Sequence, residues 1–195
     1  YDMDKDGDLD LILATNGDFG VTKELADYLV YYENVGDKNT PVFQLKNEDF
    51  LGLKKDSIRR LAPCLGDLNR DGNPELLVGR QNGTLSLYNL SGSGSSTTAS
   101  KLSDNTYGIQ LNQATTPYLA DVDGDDYIDL VIGSYAGNTT YYKNTSKTDV
   151  PVFEKQQDTM GGVLPGFWRQ ETWYDPDRDV FFDTTVFKNI NYATP

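Results

Sequence analysis

Acids at alternate positions recur three times in this 195-residue sequence. Asp2, Asp4, Asp6, Asp8 and Asp10 form the first set. Asp67, Asn69, Asp71, Asn73 and Glu75 form the second, and Asp121, Asp123, Asp125, Tyr127 and Asp129 the third. Oxygen donors at this spacing suit a hard divalent cation, because Ca2+ takes roughly six to eight oxygens at about 2.3–2.6 Å. Acids at positions 1, 3 and 5 of a tight loop can turn inward. Position 6 must allow a sharp turn, position 7 offers a backbone carbonyl, and a later acid closes the cage. Position 6 is Gly7, Gly72 or Asp126, the last a residue type that visits positive φ more readily than most. The expectation is one Ca2+ per loop, three in all, held more weakly by the second loop because Asn69 lowers its charge.

An EF-hand shares the first six positions but places its closing ligand at position 12. Here position 12 is Leu13, Val78 or Ile132, and the acid falls at position 9, as Asp10, Glu75 and Asp129. The flanks are short β-type runs such as Leu11-Ile12-Leu13 and Leu130-Val131-Ile132, not amphipathic helices. The EF-hand is excluded. A fourth stretch, Asp175 to Asp183, has acids at positions 1, 3, 5 and 9 but Val180 at the turn, where a β-branched residue is costly.

Other chemistries find few residues. The chain contains no histidine and one cysteine, so His-activated nucleophiles, His zinc sites and intrachain disulfides are absent. Cys64 lies in the apolar run Leu61–Gly66 and reads as a small core residue. Catalytic residues and further cofactors are therefore not assigned. The formal charge of −13 disfavours nucleic acid and anionic membranes as partners, and no apolar run is long enough to span a bilayer. Five, three and five of the 30 acids sit in the three loops, so the acidity is clustered rather than a general surface property.

The elements that must position these loops are strands. The composition holds 13 Tyr and 8 Phe against 2 Met, which fits a pleated, half-buried surface. The loops start 65 and 54 residues apart, and their surroundings repeat. Tyr31-Tyr32-Glu33-Asn34 matches Tyr141-Tyr142-Lys143-Asn144, with Leu87-Tyr88-Asn89 in the same place in the second copy. Pro41-Val42-Phe43-Gln44 matches Pro151-Val152-Phe153-Glu154. Each unit predicts an apolar strand, the acidic loop, a second strand, a Gly/Asn turn, a third strand and a fourth. In the second copy the fourth strand is expected near Tyr107–Leu111, after a flexible Ser/Gly/Thr-rich loop over 91–100.

On these residues the chain resembles, over 1 to about 156, the FG-GAP/VCBS repeat family, calcium-loop propeller blades related to those of integrin α-subunits. The resemblance implies an all-β fold, a β-propeller of four-stranded antiparallel blades, with about three blades of a larger propeller present. In such blades the loop joins the first and second strands and Ca2+ stabilises the turn. The expected divisions are 1–60, a first blade lacking its first strand, with a connector; 61–115, a second; 116–159, a third; and 160–195, an irregular segment or the start of a further unit. The sequence opens inside a motif and reads as a piece of a longer chain or a larger assembly. The Tyr-Tyr-x-Asn and Pro-Val-Phe patterns look more like secreted Bacteroidota-type surface proteins. The implied role is a non-catalytic, secreted or cell-surface module for a protein or glycan ligand, the bacterial outer surface being favoured. A lectin or polysaccharide lyase, with Trp168 and Trp173 as a sugar platform, is the alternative, and a structural subunit of a surface assembly a third. Asn82, Asn89, Asn138 and Asn144 begin N-glycosylation-type sequons, and Asp56, Asp158 and Asp183 begin O-glycosylation-type ones; both patterns recur by accident.

Overall fold

The computed structural model describes residues 1–15 and 26–156, together with the backbone of Gln157, 166–175 and 180–189. Its regular structure is antiparallel β-sheet. Strands β1 (Leu11–Ala14), β2 (Leu29–Asn34) and β3 (Phe43–Phe50) form one meander; β4 (Ala62–Gly66), β5 (Glu75–Gly79), β6 (Leu85–Ser91) and β7 (Thr98–Ser103) a second; and β8 (Thr115–Ala120), β9 (Asp129–Ser134), β10 (Thr139–Asn144) and β11 (Phe153–Gln157) a third. A hairpin of β12 (Gly166–Asp175) and β13 (Val180–Asn189) follows. Helical structure among the described residues is limited to 3-10 turns such as Leu53–Asp56, none long and apolar enough to cross a membrane.

Each acidic loop leads into the second strand of its sheet. Gly66 pairs with Glu75 and Ala120 with Asp129, closing the β4–β5 and β8–β9 turns. The first sheet has no strand before its loop, and Tyr1 stands in for that strand's last residue. Its carbonyl accepts from the Asp10 N–H at 3.0 Å, and its amino group reaches the Asp10 carbonyl at 3.4 Å. Pro63 and Pro117 sit in β4 and β8, both edge strands, where a missing N–H leaves no gap in the ladder.

Alternation sorts the side chains of the middle sheet to two faces, and each face is covered. Leu76, Val78 and Tyr88 pack against Leu29, Tyr31 and Phe50 of the first sheet, where the Tyr31 and Phe50 rings stack at 4.8 Å. Leu77 and Leu85 pack against Leu130, Ile132 and Tyr142 of the third. Backbone hydrogen bonds join neighbouring units at one end of the sheets. The Leu61 N–H donates to the buried Asp27 carboxylate at 3.0 Å, and Thr115 N–H to the Arg80 carbonyl at 3.2 Å. Gly79 is needed there, because a Cβ would strike the Thr115 carbonyl and Pro117.

Two sequence expectations are corrected. The fourth strand of the second sheet is Thr98–Ser103, inside and just beyond the predicted loop; Tyr107–Leu111 instead holds a 3-10 turn at Thr106–Gly108. Ser, Thr and Ala in this stretch are small enough for a strand once β6 offers a ladder, with Ser91 pairing Thr98 and Leu87 pairing Ser103. Within 160–195, expected to be an irregular segment or the start of a further unit, β12 and β13 form a hairpin with Asp175 opposite Val180. The middle of the fourth acidic stretch, 176–179, and the side chains of Asp175, Asp183, Trp168 and Trp173 lie outside the described residues, as does Asp158.

The Gly79 contact generates a test. Replacing Gly79 with Ala should cost about 1–3 kcal/mol through overpacking. Gly133→Ala, whose Cβ would meet Thr116 only at 3.9 Å, should change stability far less. Urea unfolding of the two variants checks the contrast.

Candidate metal centres

The three loops share one backbone course. Position 4 has left-handed φ in each, at Lys5 (66°), Arg70 (60°) and Gly124 (77°), and so does position 6, at Gly7 (100°), Gly72 (85°) and Asp126 (69°). Asp126 thus takes the glycine conformation that its residue type permits. The position-1 carboxylate holds the turn by accepting the position-6 N–H: Gly7 to Asp2 at 3.1 Å, Gly72 to Asp67 at 2.9 Å, Asp126 to Asp121 at 2.9 Å.

Position 9 is a buried acid in each loop, matched in loop one by Asp8. Asp129 is fully buried, and Asp10 and Glu75 are nearly so. The Asp129 carboxylate accepts the Val122 N–H (3.1 Å), the Asn144 N–H (2.8 Å) and the Tyr141 hydroxyl (3.0 Å). Asp10 accepts the matching three, from Met3 N–H, Asn34 N–H and Tyr31 hydroxyl, each at 2.9 Å. In both residues one Oδ1 lone pair remains free for another partner. Burial, and then the bond to Asp129, pushes the Tyr141 phenol up to about 12; burial likewise raises Tyr31, helped by Asp10.

Carboxylates of Asp2, Asp4 and Asp10 present oxygens within 4.8 Å of one another, as do those of Asp121, Asp123 and Asp129. Two oxygens bound on opposite sides of one Ca2+ at about 2.4 Å would lie about 4.8 Å apart, so each cluster has the dimensions of a single calcium site. Asp8 adds an orphan. Its side chain is buried, and Oδ1 has no hydrogen-bond partner. An unpaired buried oxygen beside two converging acids fits a missing cation. Burial raises Asp8 and Asp4 above the ordinary carboxylate range, with the neighbouring acids adding to the rise.

Positions 1, 3 and 9 converge; position 5 does not join them. Asp6, Asp71 and Asp125 turn instead to the position-7 N–H groups of Asp8 (3.1 Å), Asn73 (2.8 Å) and Tyr127 (3.1 Å). The Asn73 N–H holds the Asp71 carboxyl low, and the Lys147 ammonium does the same for Asp125. The second loop is organised without a charged cluster. The Asn69 amide bridges Asp71 Oδ2 and Glu75 Oε1, each at 3.0 Å, while burial raises Glu75. Asn69 therefore places two N–H donors where loops one and three leave carboxylates facing one another.

A profile for the FG-GAP-like repeat matches residues 2–78 and 67–132. The chain belongs to the FG-GAP-like repeat family. Both matches begin at a position-1 acid, Asp2 or Asp67, and each extends through the next acidic loop into the strand that follows it, β5 or β9. Integrin alpha-7 of Rattus norvegicus is 31% identical over 147 residues, a span of 73% of this chain and 13% of the integrin. No solved structure matches the chain.

Sequence reasoning picked out the acids that converge at positions 1, 3 and 9 of loops one and three, but missed several residues that hold the loops. Tyr31 and Tyr141 anchor the position-9 acids, and the signal was present in the repeated Tyr-Tyr-x-Asn pattern. Asn34 and Asn144 end that pattern, and each side-chain oxygen accepts a later turn amide: Gly36 and Val42 for Asn34, Ser146 and Val152 for Asn144. The Pro-Val-Phe pattern recurs because its Val supplies that amide. Asn144 is buried in these bonds, which removes it as a glycan acceptor.

Two outcomes follow. Asp129→Ala strands the buried Asn144 N–H and leaves the part-buried Val122 N–H and Tyr141 hydroxyl without their acceptor, at about 1–3 kcal/mol for a buried group left unpaired. Tyr141→Phe removes one donor and should cost about 1 kcal/mol; chemical denaturation with EDTA present measures both. In EDTA, Asp4, Asp8 and Glu75 have folded values above their unfolded ones. The native state therefore binds more protons, and metal-free stability should rise as pH falls from neutral towards about 5. With calcium bound, protonation expels the ion and the slope should reverse. Thermal melts across that window, with EDTA and with calcium, check the sign.

Proposed function

We propose that the chain is a section of a calcium-stapled β-propeller whose role is binding rather than catalysis. The observation that carries the metal reading is the convergence of Asp2, Asp4 and Asp10, and of Asp121, Asp123 and Asp129, next to the orphan oxygen of Asp8. In loop one Asp2, Asp4 and Asp10 hold the ion, with Asp6 and Asp8 bordering it; in loop three Asp121, Asp123 and Asp129 do so, with Asp125 and Tyr127 alongside. Loop two, with Asp67, Asn69, Asp71, Asn73 and Glu75, takes it more weakly because Asn69 removes one negative charge and its amide already bonds Asp71 and Glu75. Calcium supplies charge neutralisation to acids that repel one another, and so stabilises the folded state by mass action.

Stacking supports the propeller. The two faces of the middle sheet are covered by its neighbours in the same sense, which is how successive blades pack around an axis. Three such sheets fall short of a closed ring of four to eight blades, so further blades complete it in the full protein. Residues 1–60, 61–115 and 116–159 are the blade units in this reading. Membership of the FG-GAP family and the likeness to an integrin α-chain favour an extracellular adhesion or scaffolding module that binds a protein, or a glycan, through loops at one end.

Isothermal titration of the full-length protein should show calcium uptake with a raised thermal midpoint that EDTA reverses. An unchanged midpoint would refute the stapling role. Capture of a cell-surface protein or glycan by the calcium-loaded protein, lost in EDTA, would support the binding role; polysaccharide cleavage by the same protein would refute the non-catalytic one.

A further inference from the structure

Loops one and three differ in what stands beside their carboxylates. In loop three the Lys143 ammonium, reaching from β10, pairs with Asp123 and, at 3.1 Å, with Asp125. Asp123 belongs to the converging trio. Lys147 also reaches Asp125, at 2.7 Å, but its ammonium lies 4.5 Å from the centre of the Tyr127 ring as well, and this gives it a second seat. In loop one the residue at the same place in the Tyr-Tyr-x-Asn pattern is Glu33, which pairs with Lys46 on β3 at 3.0 Å. Lys5, the basic residue of loop one, points away to Asn73 of loop two at 3.3 Å.

We propose that Lys143 is a built-in competitor for calcium at loop three. Its ammonium and the divalent ion are alternative counter-charges for the carboxylates of Asp123 and Asp125. Calcium enters by displacing Lys143, and loop three binds it more weakly than loop one. The inference rests on the reading of these loops as calcium sites. Displacement is feasible because the pair is part-exposed, with side-chain exposure of 30% for Lys143 and 34% for Asp123. A released ammonium can rehydrate, and a part-exposed ion pair contributes little net stability. Two cations cannot share the trio, because an ammonium left within about 4–6 Å of the ion would repel it. The consequence is a graded pair of sites in one chain: loop one fills first, and loop three responds at higher calcium, releasing a positive charge at the surface as it does so.

The test is a calcium titration of the full chain, with loop one followed at the Met3 amide and loop three at the Val122 amide by NMR. Lys143→Met keeps the apolar stem and removes the charge; Lys143→Glu reproduces the residue of the first sheet. Both should tighten loop three by up to about fivefold, the size of a part-exposed ion pair, and leave loop one unchanged. In EDTA, Lys143→Met should melt lower than the parent, because its acids lose their counter-charge; in saturating calcium the deficit should vanish. Equal loop-three affinity in parent and both variants, or the same melting deficit with and without calcium, would overturn the competitor while leaving the calcium reading intact. No uptake at Val122 in any of the three proteins would overturn both for this loop.

Discussion

A buried carboxylate at the ninth position of each loop is the constraint on which the rest of the structure depends. Asp129 has no exposed surface, yet its oxygens draw together the second residue of the loop, the amide that ends β10 and a tyrosine hydroxyl from the same strand. Loop, second strand and third strand are thereby tied at one point. That arrangement brings the charges of positions 1 and 3 towards a buried acid, where like charges repel until a counter-charge is supplied. The chain meets the demand differently in each copy. Loop two substitutes an amide, Asn69. Loop three recruits Lys143. In loop one the Lys5 ammonium reaches Asn73 of loop two rather than the converging trio, and it is in this loop that an oxygen of Asp8 is left without a partner. One electrostatic problem with three local answers accounts for why nearly identical motifs differ in their surroundings.

The course of the loops was legible in the sequence, because a tight turn with acids at alternate positions depends on residue type at fixed local spacing. The acid at position 9 separated this turn from an EF-hand before any strand was placed. The all-β class and most strand positions were legible for a similar reason, since Leu-Ile-Leu or Leu-Val-Ile after each loop can only bury as strands. What could not be read was anything set by pairing across the sheet. Residues 98–103 look like linker, with Ser, Thr and Ala, and become β7 because the exposed edge of β6 supplies hydrogen bonds to them. The position-5 acids looked like inward ligands, but each is captured by the N–H two residues on, a contact as local as the coordination it replaces. Lys143 lies 20 residues from Asp123, and its approach depends on how β10 folds back over the loop.

Repetition also explains how the sheets stack. Because Leu76 and Leu130 follow their acids at the same offset, each sheet offers equivalent faces, and the middle one meets a neighbour on both sides. Glycine is retained where a neighbour's backbone comes too close for any side chain, as at Gly79. The acidic loops therefore do more than decorate the turns: they fix the end of the second strand, and with it the register that presents these faces to the next unit. The net charge of −13 is concentrated where the fold uses it.

Loops organised around a divalent ion should change their amide hydrogen exchange when that ion is supplied. With calcium added to the metal-free chain, protection should rise at the loop amides of Gly7, Asp8 and Asp126, and at the clamped amides of Met3, Val122, Asn34 and Asn144. It should rise less at Leu68 in the second loop, where Asn69 already occupies the acids. Exchange at all these amides that is the same with calcium and with EDTA would contradict the account.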